Sequence, residues 1–112
     1  MSRTFGDAHA KLEHFGGNPR VVCAIPDITH FKLLEQHHDF ILIASDGVFD
    51  RLSTEEVVGV AWNGVHEGGQ GLNEACGSVV ERVMRASMIR ESLDNLSVVM
   101  IAFKGFVKAL DT

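Results

Sequence analysis

The sequence predicts an α+β fold, and three observations carry that expectation. Two strand-sized apolar runs, Phe40–Ala44 and Leu96–Phe103, show no polar alternation, as strands buried on both faces do. Between them, Leu72–Ile89 repeats its apolar residues at helical spacing. Ahead of that segment, Ser53-Thr54-Glu55-Glu56 has the S-x-x-E form of a capping box, which starts a helix. The order is therefore strands, two helices, strand.

Each element has a local reason. The first twenty residues are rich in glycine and polar groups, and Gly16-Gly17-Asn18-Pro19 is a turn signal. Val21–Ile25 reads as a short buried strand stopped by Pro26. Ile28–Leu34 alternates loosely and reads as another strand. Glu35–Asp39 would then join it to Phe40–Ala44 as an antiparallel hairpin. A helix is expected over residues 54–64, with Val57, Val58, Ala61 and Val65 as its apolar face. Trp62 on this helix reads as a packing residue. Gly68-Gly69-Gln70-Gly71 lacks the Lys and Ser/Thr of a phosphate loop and reads as a linker. The second helix, residues 72–89, places Leu72, Ala75, Cys76, Val79, Val80, Val83, Met84 and Ser87 on one stripe. Glu74, Glu81, Arg82 and Arg85 form its solvated side. Glu91–Asn95 is a polar turn, and Lys104–Thr112 is a short tail without a pattern.

The chain has 112 residues, the size of one small domain or part of a larger one. Its formal net charge of −5, with no basic cluster, argues against nucleic acid or an anionic membrane surface as a partner. No apolar run approaches the roughly 20 residues that span a bilayer, and Met1–Asp7 lacks the apolar core of a signal peptide. Cys23 and Cys76 lie far apart in apolar settings and read as buried reduced thiols, in keeping with an intracellular compartment. His9, His14, His30, His37, His38 and His66 show no metal-ligand spacing. Ser45 lacks the G-x-S-x-G context of a nucleophile.

The acids are more informative. Phe40–Ala44 runs straight into Ser45-Asp46-Gly47, and Asp94 stands just ahead of Leu96–Phe103. If those strands are antiparallel neighbours, Asp46 and Asp94 share one rim of the sheet. Two carboxylates brought together in a partly dry site repel, and a divalent cation relieves that repulsion. Oxygen ligands suit hard ions such as Mg²⁺ or Mn²⁺. Gly47 permits a tight turn, and Asp50 is near enough to bend back toward the rim. Asp46-Gly47 alone is more often a plain turn, and Asp94-Asn95 alone is equally a turn or a cap, so spacing alone leaves the metal reading open behind the turn.

Three segments, in order, resemble one family. Ser2-Arg3-Thr4-Phe5-Gly6-Asp7 is similar to its "SR-x-x-GD" segment. Ser45–Asp50 with Arg51–Glu56 resembles its "ASDG-aromatic-D … S-x-E-E" segment. Asp94-Asn95-Leu96-Ser97 resembles its "DN-x-[ST]" segment. These belong to the metal-dependent protein serine/threonine phosphatases of type 2C, and the similarity runs from Ser2 to about Phe103. It implies a partial α-β-β-α sandwich, two antiparallel sheets flanked by helices. It implies a binuclear Mg²⁺ or Mn²⁺ centre that activates water for hydrolysis of phosphoserine and phosphothreonine in proteins. Carried over by motif, Asp46 and Asp94 are metal ligands and Asp50 belongs to a weaker metal position. Arg3, Asp7 and Gly47 stand near the site, and Asn95 orients the turn at Asp94. Residues 8–19 fall where the family has a variable flap.

The family's "DGHGG"-like segment and its phosphate-binding arginine have no counterpart here, so the chain resembles the C-terminal half of the domain. The expectation that follows is a fragment that is inactive alone, that self-associates, or that needs the missing N-terminal half. Its substrates would be phosphoproteins, in the cytoplasm or nucleus. The alternative is a phosphatase-like module that binds or regulates without catalysis.

Overall fold

A computed structural model describes residues 2–65 and 71–111. The chain forms two compact units, residues 1–32 and 33–112.

The first unit holds a one-turn helix α1 (Ala8–Lys11) and a 3₁₀ turn (Glu13–Phe15). Gly16 ends that turn at φ 81°, a left-handed conformation that glycine adopts without strain. The strand expected at Val21–Ile25 is not formed. In its place a single parallel bridge joins Arg3 to Cys23, through Thr4 N–H to Cys23 O at 2.8 Å and Cys23 N–H to Ser2 O at 3.0 Å. None of the described residues in this unit is buried, so a strand there has no core to face. Ile28–Leu34 is likewise not a strand, and the expected hairpin is absent. Its apolar residues stay exposed, Ile28 and Phe31 among them.

The second unit runs β1 (Phe40–Ala44), α2 (Asp46–Phe49), α3 (Thr54–Val65), α4 (Leu72–Ile89), β2 (Val98–Ala102) and α5 (Lys104–Leu110). β1 pairs with β2 in antiparallel register, Phe40 opposite Ala102 and Ala44 opposite Val98. One sheet face packs on the helices. Around it Ala61, Val65, Ala75, Val79 and Phe106 form one buried cluster, and Val48, Leu52, Val57 and Val83 another. Leu42 touches both. The opposite face was expected to be buried too and is not. Ile43, Val99 and Ile101 are 56%, 55% and 46% exposed, because the described helices cover only one side.

The capping box forms as expected. Ser53 N–H donates to Glu56 Oε2 at 2.8 Å, and Glu56 N–H donates to Ser53 Oγ at 3.2 Å. Arg90 at the end of α4 also pairs with Glu56 at 2.6 Å. α3 buries Val57, Ala61, Gly64 and Val65 but leaves Val58 exposed, and Gly64 lies against Val79 and Arg82 of α4. α4 begins and ends where its periodicity says, and buries Ala75, Val79, Val83 and Ser87. Ser87 is tolerated inside because its hydroxyl donates to Val83 O at 2.9 Å. Glu81 and Arg85 pair one turn apart on the wet side. Gly68–Gln70 of the expected linker lie outside the described residues.

The short α5, like α1 and α2, is an element that the pattern missed. It delivers Phe106, wholly buried, edge-on to Phe40 at 5.9 Å and tilted against Trp62 at 5.9 Å. Trp62 thus packs, as expected. Cys23 and Cys76 are free thiols, half-buried rather than fully buried, and burial raises the Cys76 pKa. No described helix is long and apolar enough to cross a membrane.

The capping box carries a pH prediction. The Ser53 N–H and then Arg90 hold the Glu56 carboxyl below its ordinary range, and Lys108 and Lys104 do the same for Glu35. A depressed folded pKa adds stability that is complete above the unfolded value of about 4.5 and is lost as pH falls through the folded value. Urea midpoints should therefore fall between about pH 6 and about pH 3, and less steeply in Glu56→Gln. Ser53→Ala should cost about 1 kcal/mol at neutral pH. An acid-insensitive midpoint in wild type would contradict this.

Candidate metal centre

β1 ends at Ala44, and the chain turns at once into α2. Ser45 precedes α2 in an extended conformation (φ −72°, ψ 167°), and Asp46 is the first helical residue. The ladder continues past the named strands, with Ser45 N–H bonded to Ser97 O at 2.9 Å. Antiparallel pairing therefore brings the end of β1 to the start of β2. Asp46 and Asp94 stand on the same rim, as the strand order requires.

Three further bonds tie the rim together. Ser45 Oγ donates to Asn95 O at 3.1 Å and accepts the Ser97 N–H at 3.2 Å. Ser92 Oγ donates to Gly47 O at 2.8 Å. Gly47 was expected to serve a tight turn through its backbone freedom. Its φ is not positive, and it needs to be glycine for a different reason. It is buried in α2, and a Cβ there would stand 2.5 Å from Asn95 O and 3.1 Å from Leu96 Cδ2.

The acids themselves face water. Asp46, Asp50 and Asp94 are all exposed. Asp94 Oδ1 accepts the Asn95 N–H at 2.8 Å, so Asn95 steadies that carboxylate through its backbone. Asp50 N–H donates to Asp46 O at 2.7 Å and closes α2. Asp50 and Asp94 line a surface depression of about 290 Å³ with Gly47, Arg51, Ser92 and Leu93.

Arg3 and Asp7 belong to the first unit. Arg3 Nη1 pairs with Asp27 Oδ2 at 2.9 Å, an exposed ion pair. Asp7 precedes α1 at φ 56° and ψ 53°, a left-handed conformation that aspartate tolerates better than most residues. Of the described histidines, His9 and His14 lie against Phe15, and His38 Nδ1 accepts the Leu34 N–H at 2.9 Å.

The donors on the rim fit a hard divalent ion in kind, being carboxylate oxygens without imidazole or thiolate. They fall short in number: among the described residues, no three His, Cys, Asp or Glu side chains converge as a metal ion requires. Ser92 and Arg51 carry no strong sequence signal. Arg51 follows the acidic segment as an ordinary helix-end cation. Ser92 is a hydroxyl two places before Asp94, and only its bond to Gly47 marks it out.

Comparison with known proteins agrees with the motifs. The family model described as Protein phosphatase 2C matches residues 1–95. The chain is 31% identical over 109 residues to "Probable protein phosphatase 2C 11" of Oryza sativa subsp. japonica, covering 93% of this chain and 29% of that protein. It is 28% identical over 105 residues to "Protein phosphatase 2C homolog 2" of Saccharomyces cerevisiae, covering 91% and 22%. It is 43% identical over 60 residues to "Probable protein phosphatase 2C 52" of Arabidopsis thaliana, covering 54% and 11%. The chain spans less than a third of the length of each. No solved structure matches it. With the family model covering both rim aspartates and most of the chain, this protein belongs to the protein phosphatase 2C family.

Proposed function

We propose that the chain supplies part of the active centre of a metal-dependent phosphatase acting on phosphoserine and phosphothreonine in proteins. The observation that carries this reading is the shared rim: antiparallel β1 and β2 present Asp46 and Asp94 at one end of the sheet. Mg²⁺ or Mn²⁺ bound there would supply an activated water and neutralise phosphate oxygens. Asp46 and Asp94 would hold the ion, and Asp50 would serve a weaker position beside the depression. Asn95 holds the Asp94 carboxylate in place through its N–H. Arg3 and Asp7 contribute near the site in the complete centre.

The uncovered Ile43, Val99 and Ile101 face supports a second sheet packed there, completing a two-sheet sandwich. The missing donors would come with that layer, from polypeptide beyond these residues. The free Cys23 and Cys76 thiols support an intracellular setting, cytoplasmic or nuclear. The shortage of converging donors favours a second reading for the chain alone, a phosphatase-like module that binds without catalysis.

A phosphothreonine peptide assay with Mn²⁺ separates these. The purified chain should show no turnover above buffer. Joined to an upstream segment carrying a "DGHGG"-like motif, it should gain Mn²⁺-dependent turnover that Asp46→Asn abolishes. Turnover by the chain alone near that of a complete enzyme would contradict the partial site. No gain on joining would favour the binding module.

A further inference from the structure

We propose that Ser92 is a positioning residue, one that locks the Asp94 loop onto the Asp46 turn and so sets the spacing of the two carboxylates. This rests on the metal-centre reading of Asp46 and Asp94.

The residues on either side of Asp46 are each bonded to the Asp94 loop. Ser45, before it, donates from Oγ to Asn95 O at 3.1 Å. Gly47, after it, accepts the Ser92 hydroxyl through its carbonyl at 2.8 Å. On the other side, Asn95 directly follows Asp94 and Ser92 stands two places before it. Two cross-links therefore close a small ring, with one aspartate on each side of it. Gly47 tightens the ring by letting Asn95 O approach where a Cβ would stand at 2.5 Å.

Little else fixes this loop. Leu93 is 96% exposed and Asp94 is exposed, so no apolar contact anchors them. The chain leaves α4 through Glu91 at φ 59°, a left-handed conformation unusual for glutamate. Ser92 follows immediately, with its N–H bonded to Ser87 O at 3.2 Å and its Oγ to Gly47 O. It is half-buried, and it joins the end of α4 to α2. Backbone that reverses in a left-handed residue and then carries two exposed ones needs such an anchor to hold one conformation.

Ligand-orienting groups outside the coordination shell typically govern metal affinity by about 10- to 100-fold. Ser92→Ala in the full 112-residue chain should thus weaken Mn²⁺ binding by about tenfold or more, read by electron paramagnetic resonance of free Mn²⁺. Ser92→Thr keeps the hydroxyl and should restore it. A purely structural serine would lower the melting temperature without changing the affinity of the folded chain. Without metal, Ser92→Ala should speed hydrogen exchange at the 93–95 amides and leave those of α4 unchanged. Unchanged exchange at 93–95, or wild-type Mn²⁺ affinity in Ser92→Ala, would overturn the proposal. Faster exchange in Ser92→Ala with no Asp46-dependent Mn²⁺ binding in wild type would instead sink the metal-centre reading. The clamp would then stand only as a property of the fold, without a role in positioning ligands.

Discussion

Phe106→Ala should unfold most of the second unit at modest temperature. Phe106 is wholly buried, and it closes the cluster made by Ala61, Val65, Ala75 and Val79. Its ring meets Phe40 from β1 and Trp62 from α3, so three elements lose packing at once. Truncating a buried phenylalanine to alanine costs about 3–5 kcal/mol, from lost burial plus the cavity left behind. A unit of this size has a total stability of roughly 4–12 kcal/mol. The substitution therefore removes a large fraction of it. Each kcal/mol lowers the melting temperature of a small domain by about 4–8 °C, so the fall should exceed about 12 °C. Phe106→Leu retains most of the volume and should cost well under half as much. Circular dichroism at the helical minimum would read both. A loss below about 1 kcal/mol for Phe106→Ala would mean that α5 does not pack on this core.

That residue also shows where the sequence stopped being legible. α4 could be read to the residue because eighteen positions repeat one apolar stripe. α5 has seven residues, too few for a period to emerge, and its one wholly buried side chain is Phe106. α2 has four, one of them glycine, and nothing local distinguishes it from a turn. The capping box was legible because Ser53 and Glu56 satisfy each other three residues apart. Val21–Ile25 and Ile28–Leu34 have strand-like composition, but a strand needs a ladder and a face to bury; among the described residues the first has only the single Arg3–Cys23 bridge, the second has no pairing, and neither buries a face.

The candidate site divides in the same way. Asp46 and Asp94 could be found because each sits at the end of an apolar strand, and each strand was visible. That the two ends meet was conditional on antiparallel pairing, which the β1–β2 register supplies. Gly47 was read as a turn residue, whereas its role is to clear space for Asn95 O. The Ser92–Gly47 bond spans 45 residues and joins a side chain to a carbonyl, so it leaves no pattern in sequence. The uncovered face of the sheet was also hidden, since Ile43, Val99 and Ile101 look the same in sequence whether a second layer is present or absent.

The second large effect concerns the rim. Asp46 opens α2 with a carboxylate that makes no hydrogen bond or ion pair among the described residues, so its replacement by the isosteric asparagine should leave the fold intact. Among the described residues, Asp94 accepts only its neighbour's N–H, which an asparagine oxygen can also accept. Folding should thus be nearly unchanged in Asp46→Asn and Asp94→Asn, while the negative charge a hard cation requires is lost. Calorimetric or paramagnetic titration of Mn²⁺ into wild type, Asp46→Asn and Asp94→Asn tests this most directly. Wild type should bind weakly, as a partial coordination shell does, and each single variant should lose at least about tenfold of that affinity. Under the proposed reading both residues would hold the same ion, so the double variant should lose little more. Equal Mn²⁺ binding by wild type and both variants, with all three folded, would remove Asp46 and Asp94 from any metal centre.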